Sequence, residues 1–267
     1  MFEKAGIELP FKTLEDVYDA ALKLKKSSPD SVPMSVQAKA GEGITSLKTT
    51  MAAAGVPFDG AKPDLQSPAA QYVLDWYKRF QAEGLLPEEA ISWGEAEARG
   101  AFIRGQAGFI LDGLNTAADF GEVPGFDYDK KWATTLMPTD TGSGTTGARI
   151  SSARSWAITT GTEHPYEASL LLRYIADSKN LVDSVLEGAV PPRNTEALED
   201  PRLNKFMPFF TDDLKTAFKE SEPVPAALNA GEVEDVLEQL FGEIVTGTDL
   251  SAKQLADKYQ PKLDSVK

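Results

Sequence analysis

Apolar and polar positions alternate along the chain at two spacings. Val17, Ala20, Ala21 and Leu24 recur at helical intervals, one face of a 3.6-residue repeat. Thr13 stands where an N-cap belongs and Asp16 three residues on suits a capping box. Lys23, Lys25 and Lys26 crowd the negative end of the helix dipole, and residues 27–30 break the pattern. Residues 1–12 read as a loop feeding this helix. Val32, Met34 and Val36 then alternate as in a short strand over 32–37.

Gly41 and Gly43 open a loop, and 46–54 reads as a short helix ended by Gly55. Ser67-Pro68 is a cap followed by proline at the first helical position. The helix it predicts carries Val73, Trp76, Tyr77 and Phe80 as core residues and stops at Gly84, a natural left-handed terminator. Residues 95–102 form the next helix, Gly105 ends it, and Ala107 to Leu111 is a short apolar strand. Strands are expected over 132–137 and 155–159, with a flexible Gly/Ser/Thr loop at 139–147 between them. Pro165 begins an apolar helix through Ala168, Leu171, Leu172 and Ile175, with His164 as its starting residue, and another runs from Ser178 to Gly188. Pro191-Pro192-Arg193-Asn194 is a rigid turn. Beyond Asp200 the reading is helical: 203–210, 212–219, 233–245 and 251–263, with Gly247 closing the third and Ser251/Gln254 boxing the last. Mixed strands and helices followed by helices alone indicate an α/β body of two or three layers with a helical tail.

Composition narrows the function classes. The 267 residues hold enough material for one large domain or two lobes. A net charge of −14 opposes nucleic-acid binding, which needs clustered Lys and Arg, and docking on an anionic membrane surface. Cysteine is absent, which removes disulfides and thiolate-ligated metals. One histidine, His164, supports neither a His-rich metal site nor a Ser-His-Asp set. No apolar run has the length of a membrane span, and the residues after Met1 do not form a signal peptide. The Gly-Ser-Gly-Thr-Thr-Gly run of 142–147 lacks the Lys-Ser/Thr of a phosphate-binding loop.

Six blocks resemble the extracellular solute-binding proteins of carbohydrate ABC importers, the maltose-binding-like family. Phe2, Lys4, Ala5, Gly6, Ile7, Pro10, Thr13 and Glu15 follow the family's "F-x-K-A-G-I-x-x-P-x-T-W-x-E", although Leu14 replaces the usual Trp and the Pro-to-Thr gap is one residue longer. The second block runs from Ser67-Pro68-Ala69-Ala70 to Glu83-Gly84-Leu85-Leu86-Pro87. The third is Ala101-Phe102-Ile103-Arg104-Gly105-Gln106-Ala107-Gly108-Phe109, and the fourth joins Trp156-Ala157-Ile158-Thr159 to His164-Pro165-Tyr166-Glu167-Ala168. Gly188 to Arg193 with Asp200-Pro201, and Val245-Thr246-Gly247 with Ser251 to Ala256, complete the series. Each block alone is weak; their shared order makes the resemblance specific.

The resemblance implies a type II periplasmic-binding-protein fold, α/β, whose two lobes close on a ligand about a hinge. On the family pattern residues 1–152 belong to the second lobe, 153–197 return to the first, and 198–267 go back to the second as helices. The chain looks like such a protein without its opening part, where the export signal or lipoprotein anchor of a periplasmic or extracellular receptor would lie. The 153–197 excursion is then expected to expose an apolar face. The implied ligand is a sugar or oligosaccharide and the implied partners are ABC permease subunits. A monomer is expected, with no cofactor, no metal and no catalytic residues.

Sugar sites need an aromatic or apolar face for the ring and planar polar groups for paired hydroxyls. Asp112 and Asn115 follow the 107–111 strand, where the family's loop faces the cleft and often supplies a Trp. Gly147 and Arg149 match the family's contact before the return strand, and a guanidinium fork suits adjacent hydroxyls. Glu42 and Thr45 lie in the loop after the 32–37 strand. Trp93 stands beside Gly94 as a stacking candidate, and Arg193 as a group on the opposite wall. Three rival readings stand beside this one: a receptor for a polyamine or other polar solute, a non-binding relative that offers only an interaction surface, and a hydrolase built on paired carboxylates.

Overall fold

The structure is a computed structural model and describes residues 1–42, 44–113, 116–151, 156–186, 195–206 and 208–267. Its contacts divide the chain into two compact units. The first comprises Met1–Asp112, Thr135–Ile150 and Glu222–Lys267, the second Gly113–Thr134 and Ser151–Ser221.

The first unit opens on a helical turn, α1 (Phe2–Ala5), closed by Gly6 in the left-handed conformation. The expected loop is thus helical at its start. Phe2 meets Phe11 at 6.2 Å and Phe109 at 6.3 Å between ring centroids, which folds the segment onto the body. Helix α2 (Leu14–Ser27) begins with the expected box: Asp16 N donates to Thr13 Oγ1 at 3.1 Å and Thr13 N to Asp16 Oδ2 at 2.9 Å. It leads to β1 (Val32–Ser35) and α3 (Ile44–Ala53), then to the hairpin β2 (Phe58–Asp59) and β3 (Lys62–Pro63). Helix α4 (Pro68–Ala82) starts at Ser67, whose hydroxyl accepts from Ala70 N at 3.2 Å. A 3₁₀ turn (Ala90–Ser92) precedes α5 (Glu95–Ile103) and β4 (Ala107–Ile110).

Strands β1 and β4 are parallel, with Val32 opposite Ala107, Met34 opposite Phe109 and Ser35 opposite Ile110. Gly108 allows this layer to close: a Cβ there would stand 2.5 Å from Leu24 Cδ1 of α2 and 3.1 Å from Pro33 O. Ser35 Oγ, fully buried, donates to Ala98 O at 3.0 Å and ties α5 to the same layer.

Helix α4 is the centre of the core. Trp76, Tyr77 and Phe80 are buried together with Leu14, Leu47, Met51, Leu240, Phe241, Leu255 and Leu263. The last four belong to α12 (Ala230–Val245) and α13 (Ala252–Ser265), which pack on α4. Tyr77 meets Phe241 edge-on at 4.9 Å, and its hydroxyl lies 2.9 Å from Thr50 Oγ1 on α3. The box expected for α13 is present, with Gln254 N on Ser251 Oγ at 3.2 Å and Ser251 N on Gln254 Oε1 at 2.9 Å.

The second unit holds α6 (Thr116–Gly121), α7 (Pro165–Ala176), α8 (Ser178–Leu186), α9 (Thr195–Leu198), α10 (Pro201–Phe206) and α11 (Asp212–Glu220). Its core is aromatic. Buried Trp132 lies 5.2 Å from Phe120, 5.0 Å from Tyr128 and 5.5 Å from Phe209, and its indole N–H donates to Phe126 O at 3.0 Å. Arg202 pairs with Asp183 at 2.8 Å and ties α10 to α8.

Several sequence expectations are corrected. Residues 133–137 form no strand, because Trp132 is drawn into the aromatic cluster whereas Met137 packs against the core of the first unit; 156–159 are likewise irregular. The helix expected over 203–210 ends at Phe206, and the two-residue strand β6 (Glu222–Pro223), which pairs with β5 (Ile150–Ser151), interrupts the tail. The 139–147 loop is pinned rather than free. Thr141, fully buried, accepts at Oγ1 from Ser143 N at 3.1 Å and donates from N to Thr145 O at 3.0 Å. Asp140 O accepts from Leu14 N at 2.8 Å. The turn at 191–194 lies outside the described residues.

Candidate functional site at the carboxyl edge of the parallel strands

Because β1 and β4 are parallel, the segments leaving both emerge at one edge, the side on which open α/β sheets present ligand-binding loops. After β1 the chain is held by Trp93, whose carbonyl accepts from Ala38 N and Lys39 N, each at 3.1 Å. Gly41 turns the chain at φ 84°, and its N–H donates to Glu238 Oε1 of α12 at 2.8 Å. Glu42 Oε2 accepts from Glu95 N at 2.9 Å, and Glu42 Oε1 lies 3.0 Å from Lys39 Nζ.

Glu42 thereby caps α5 from outside the helix. Glu97 does so from within, accepting from Gly94 N at 3.0 Å. Two carboxylates at a helix N-terminus meet the positive end of its dipole. The Glu95 N–H, then the Lys39 ammonium, hold the Glu42 carboxyl below its ordinary value. Gly94 leaves room for this arrangement: a Cβ there would sit 2.1 Å from Glu42 Oε2.

Trp93, half-buried, thus stands next to the loop that carries Glu42, and Thr45 is exposed in the first turn of α3 directly after it. On the β4 side Asp112 is nearly buried and gripped by Arg99 of α5, Nε to Oδ2 at 2.8 Å and Nη2 to Oδ1 at 3.2 Å. Arg99 also lies 3.3 Å from Glu95, so Asp112, Arg99, Glu95 and Glu42 form one connected polar chain along the edge.

The structure therefore brings together four of the residues singled out from sequence: Glu42, Thr45, Trp93 and Asp112. Gly147 and Arg149 lie at the other end of α3, which is about 15 Å long. Gly147 N donates to Ala53 O at 3.1 Å and Thr139 O at 2.9 Å, and a Cβ at Gly147 would stand 2.0 Å from Ala52 O. Its lack of a side chain is a packing requirement. Arg149 Nε donates to Met137 O at 2.9 Å, and Arg149 O accepts from Glu222 N at 2.9 Å. Asn115 and Arg193 lie outside the described residues. Glu238, Glu97 and Arg99 were not among the sequence candidates. Glu97 had a signal, standing three residues after Gly94 as a box acid; the Glu238–Gly41 contact, 197 residues apart in the chain, had none.

A half-exposed indole suits the apolar face of a polyol, and carboxylate and hydroxyl groups suit its hydroxyls. Among the described residues no group of three or more His, Asp or Glu is placed to hold a metal ion, and no helix is long and apolar enough to cross a membrane.

Comparison with known proteins gives the chain a family. Residues 1–181 match the family of bacterial extracellular solute-binding proteins, and the chain belongs to that family. Its fold is that of type II periplasmic binding proteins. It superposes with a TM-score of 0.79 on an ABC transporter solute-binding protein of Agrobacterium radiobacter K84 in complex with ribitol, at 18% identity over 100% of this chain and 67% of that one. A maltose-bound protein of T. maritima gives 0.78 at 20% identity over 97% and 67%. A solute-binding protein of Agrobacterium vitis S4 with bound D-mannitol gives 0.75 at 22% over 98% and 67%. No curated protein matches the chain in sequence.

Proposed function

We propose that the protein is the ligand receptor of a carbohydrate ABC importer, acting outside the cytoplasmic membrane. It binds a sugar, oligosaccharide or polyol reversibly and hands it to permease subunits without chemical change. The observation that carries the proposal is the joining of Trp93, Glu42 and Thr45 at one edge of the parallel strands. The ribitol, maltose and D-mannitol held by three proteins of this fold support a polyhydroxylated ligand. In this reading Trp93 stacks on the ring or carbon chain and Glu42 and Thr45 take hydroxyls. Asp112, held by Arg99, shapes the exit of β4, with Asn115 beyond it. Gly147 seats the segment that carries Arg149, and Arg193 is the remaining candidate for a ligand hydroxyl.

The test is thermal-shift and calorimetric titration with maltose, D-mannitol and ribitol. A ligand that binds the folded form alone raises stability by about 2.7 kcal/mol at a hundredfold excess over Kd. Saturable heat with no product, lost in Trp93→Ala, is the expected result.

One observation favours a second reading, a relative that presents an interaction surface and no longer binds. On α7, Tyr166, Leu170 and Tyr174 are exposed at helical spacing with Leu171, and Trp156 is 74% exposed. No shift with any probe, including polyamines, supports that reading instead.

A further inference from the structure

The carboxyl edge contains a buried cation that the sequence did not single out. Lys48 lies one turn after Thr45 on α3, and its side chain is only 7% exposed. Among the described residues its one hydrogen-bond partner is Glu234 Oε1 of α12, at 2.9 Å. An ammonium carries three donors, and a cation removed from water is costly unless those donors find acceptors. Glu234 is itself 38% exposed, so the pair opens to solvent on the carboxylate side. It opens beside the loop already described: Glu238, one helical turn after Glu234, accepts from Gly41 N at 2.8 Å.

We propose that Lys48 and Glu234 form a hydroxyl clamp that determines specificity at this edge. The Lys48 ammonium donates to one oxygen of a vicinal diol, and the Glu234 carboxylate accepts from the neighbouring O–H. A fixed donor and acceptor about 3 Å apart match the spacing of adjacent hydroxyl oxygens. The pair is neutral as a unit, which suits an uncharged polyol. A phosphorylated or carboxylated sugar would meet Glu234, Glu238 and Glu42 and be repelled. This inference rests on the proposed receptor function and names the hydroxyl pattern that the receptor reads.

The experiment is calorimetric titration of the whole chain with maltose, D-mannitol and ribitol, and with analogues of each lacking one hydroxyl. It compares wild type with Lys48→Met, Lys48→Arg and Glu234→Gln. In the wild type, loss of one particular hydroxyl is expected to weaken binding about tenfold or more. In Lys48→Met and Glu234→Gln the parent polyol is expected to bind about as weakly as that analogue, with the difference between the two abolished. A purely structural ion pair would lower the melting temperature and leave the ratio intact. Should Lys48→Met fail to fold, Glu234→Gln and Lys48→Arg carry the same comparison. Binding by the wild type with an unchanged ratio in the variants overturns the clamp and leaves the receptor function standing. No binding of any probe by the wild type overturns both.

Discussion

Glu15 receives both arms of the Arg79 guanidinium, Nη1 on Oε2 at 3.0 Å and Nη2 on Oε1 at 2.6 Å. The same carboxylate accepts from Tyr72 O–H at 2.7 Å, and the guanidinium carbon lies 4.4 Å above the Tyr18 ring. This cluster joins α2 to α4 on the flank of the core. Both partners of the pair are 33% exposed, so screening limits their worth. Forked geometry and the extra hydrogen bond raise it. Glu15→Gln is expected to cost about 1–2 kcal/mol, read as a lower midpoint in urea at neutral pH.

The same group sets part of the acid limb. Burial pushes the Glu15 carboxyl up, but the hydrogen bonds from Arg79 and Tyr72 and the Arg79 charge outweigh it, so it titrates below its ordinary value of 4.5. A carboxyl depressed in the folded state contributes stability that is full above its unfolded value and lost as pH falls through the folded one. Glu243 behaves alike: burial again opposes, and Lys258 and Tyr259 prevail. Wild type is therefore expected to lose stability below about pH 4.5, and Glu15→Gln to lose less over that window. Urea midpoints at pH 7, 5, 4 and 3 measure the difference; parallel curves would refute it.

Gly147→Ala tests the packing of the segment that carries Arg149. The new Cβ would meet Ala52 O at 2.0 Å and Gly55 N at 2.3 Å, both backbone atoms that cannot swing aside. A loss of about 2–3 kcal/mol or more is expected, seen by thermal melting. The neighbouring Gly55 makes the demand twice over, with φ 82° and a would-be Cβ 2.6 Å from Thr146 O. A Gly147→Ala protein that melts with the wild type would contradict the close approach.

The helices were legible wherever a cap and an apolar stripe agreed. Thr13 with Asp16, Ser67 with Pro68, and Ser251 with Gln254 all mark real starts, because these contacts span three residues and need nothing beyond the local chain. The 132–137 alternation misled because Trp132 and Met137 answer to different neighbours. Trp132 packs in an aromatic cluster, whereas Met137 packs against the core of the first unit and its carbonyl serves Arg149. The Gly/Ser/Thr loop misled because composition does not reveal that one hydroxyl, Thr141 Oγ1, organises it. Of the candidate site, family resemblance pointed to the loops after β1 and β4. It did not reach Lys48, Glu234 or Glu238, whose contacts join chain segments more distant than any local pattern spans.

The capping of α5 by Glu42 yields a further expectation. Glu42→Ala removes the acceptor of Glu95 N and leaves Glu97 in place. The stability cost should be small. Affinity for the bound polyol should fall more than this, since the loop beside Trp93 loses an anchor. Paired melting and titration measure the two effects; equal losses would assign Glu42 to capping alone.

The apolar stripe of α7 predicts the opposite balance. Leu171→Ser and Tyr174→Ser, at residues 57% and 67% exposed, should change stability by no more than about 0.5 kcal/mol. They should also reduce self-association in light scattering, because large exposed apolar patches are adhesive. A marked drop in melting temperature would show that the stripe is packed.

The first unit is discontinuous in the chain. The face of α4 that carries Tyr77 is closed in part by Phe241 of α12, and α13 packs on the same helix. During synthesis that part of the core stays uncovered until α12 and α13 have left the ribosome, at roughly 5–20 residues per second a wait of about ten seconds or more. Throughout that interval the nascent chain displays apolar surface that the finished protein buries. Expression yield should therefore depend on chaperone supply more steeply than the stability of the finished protein suggests.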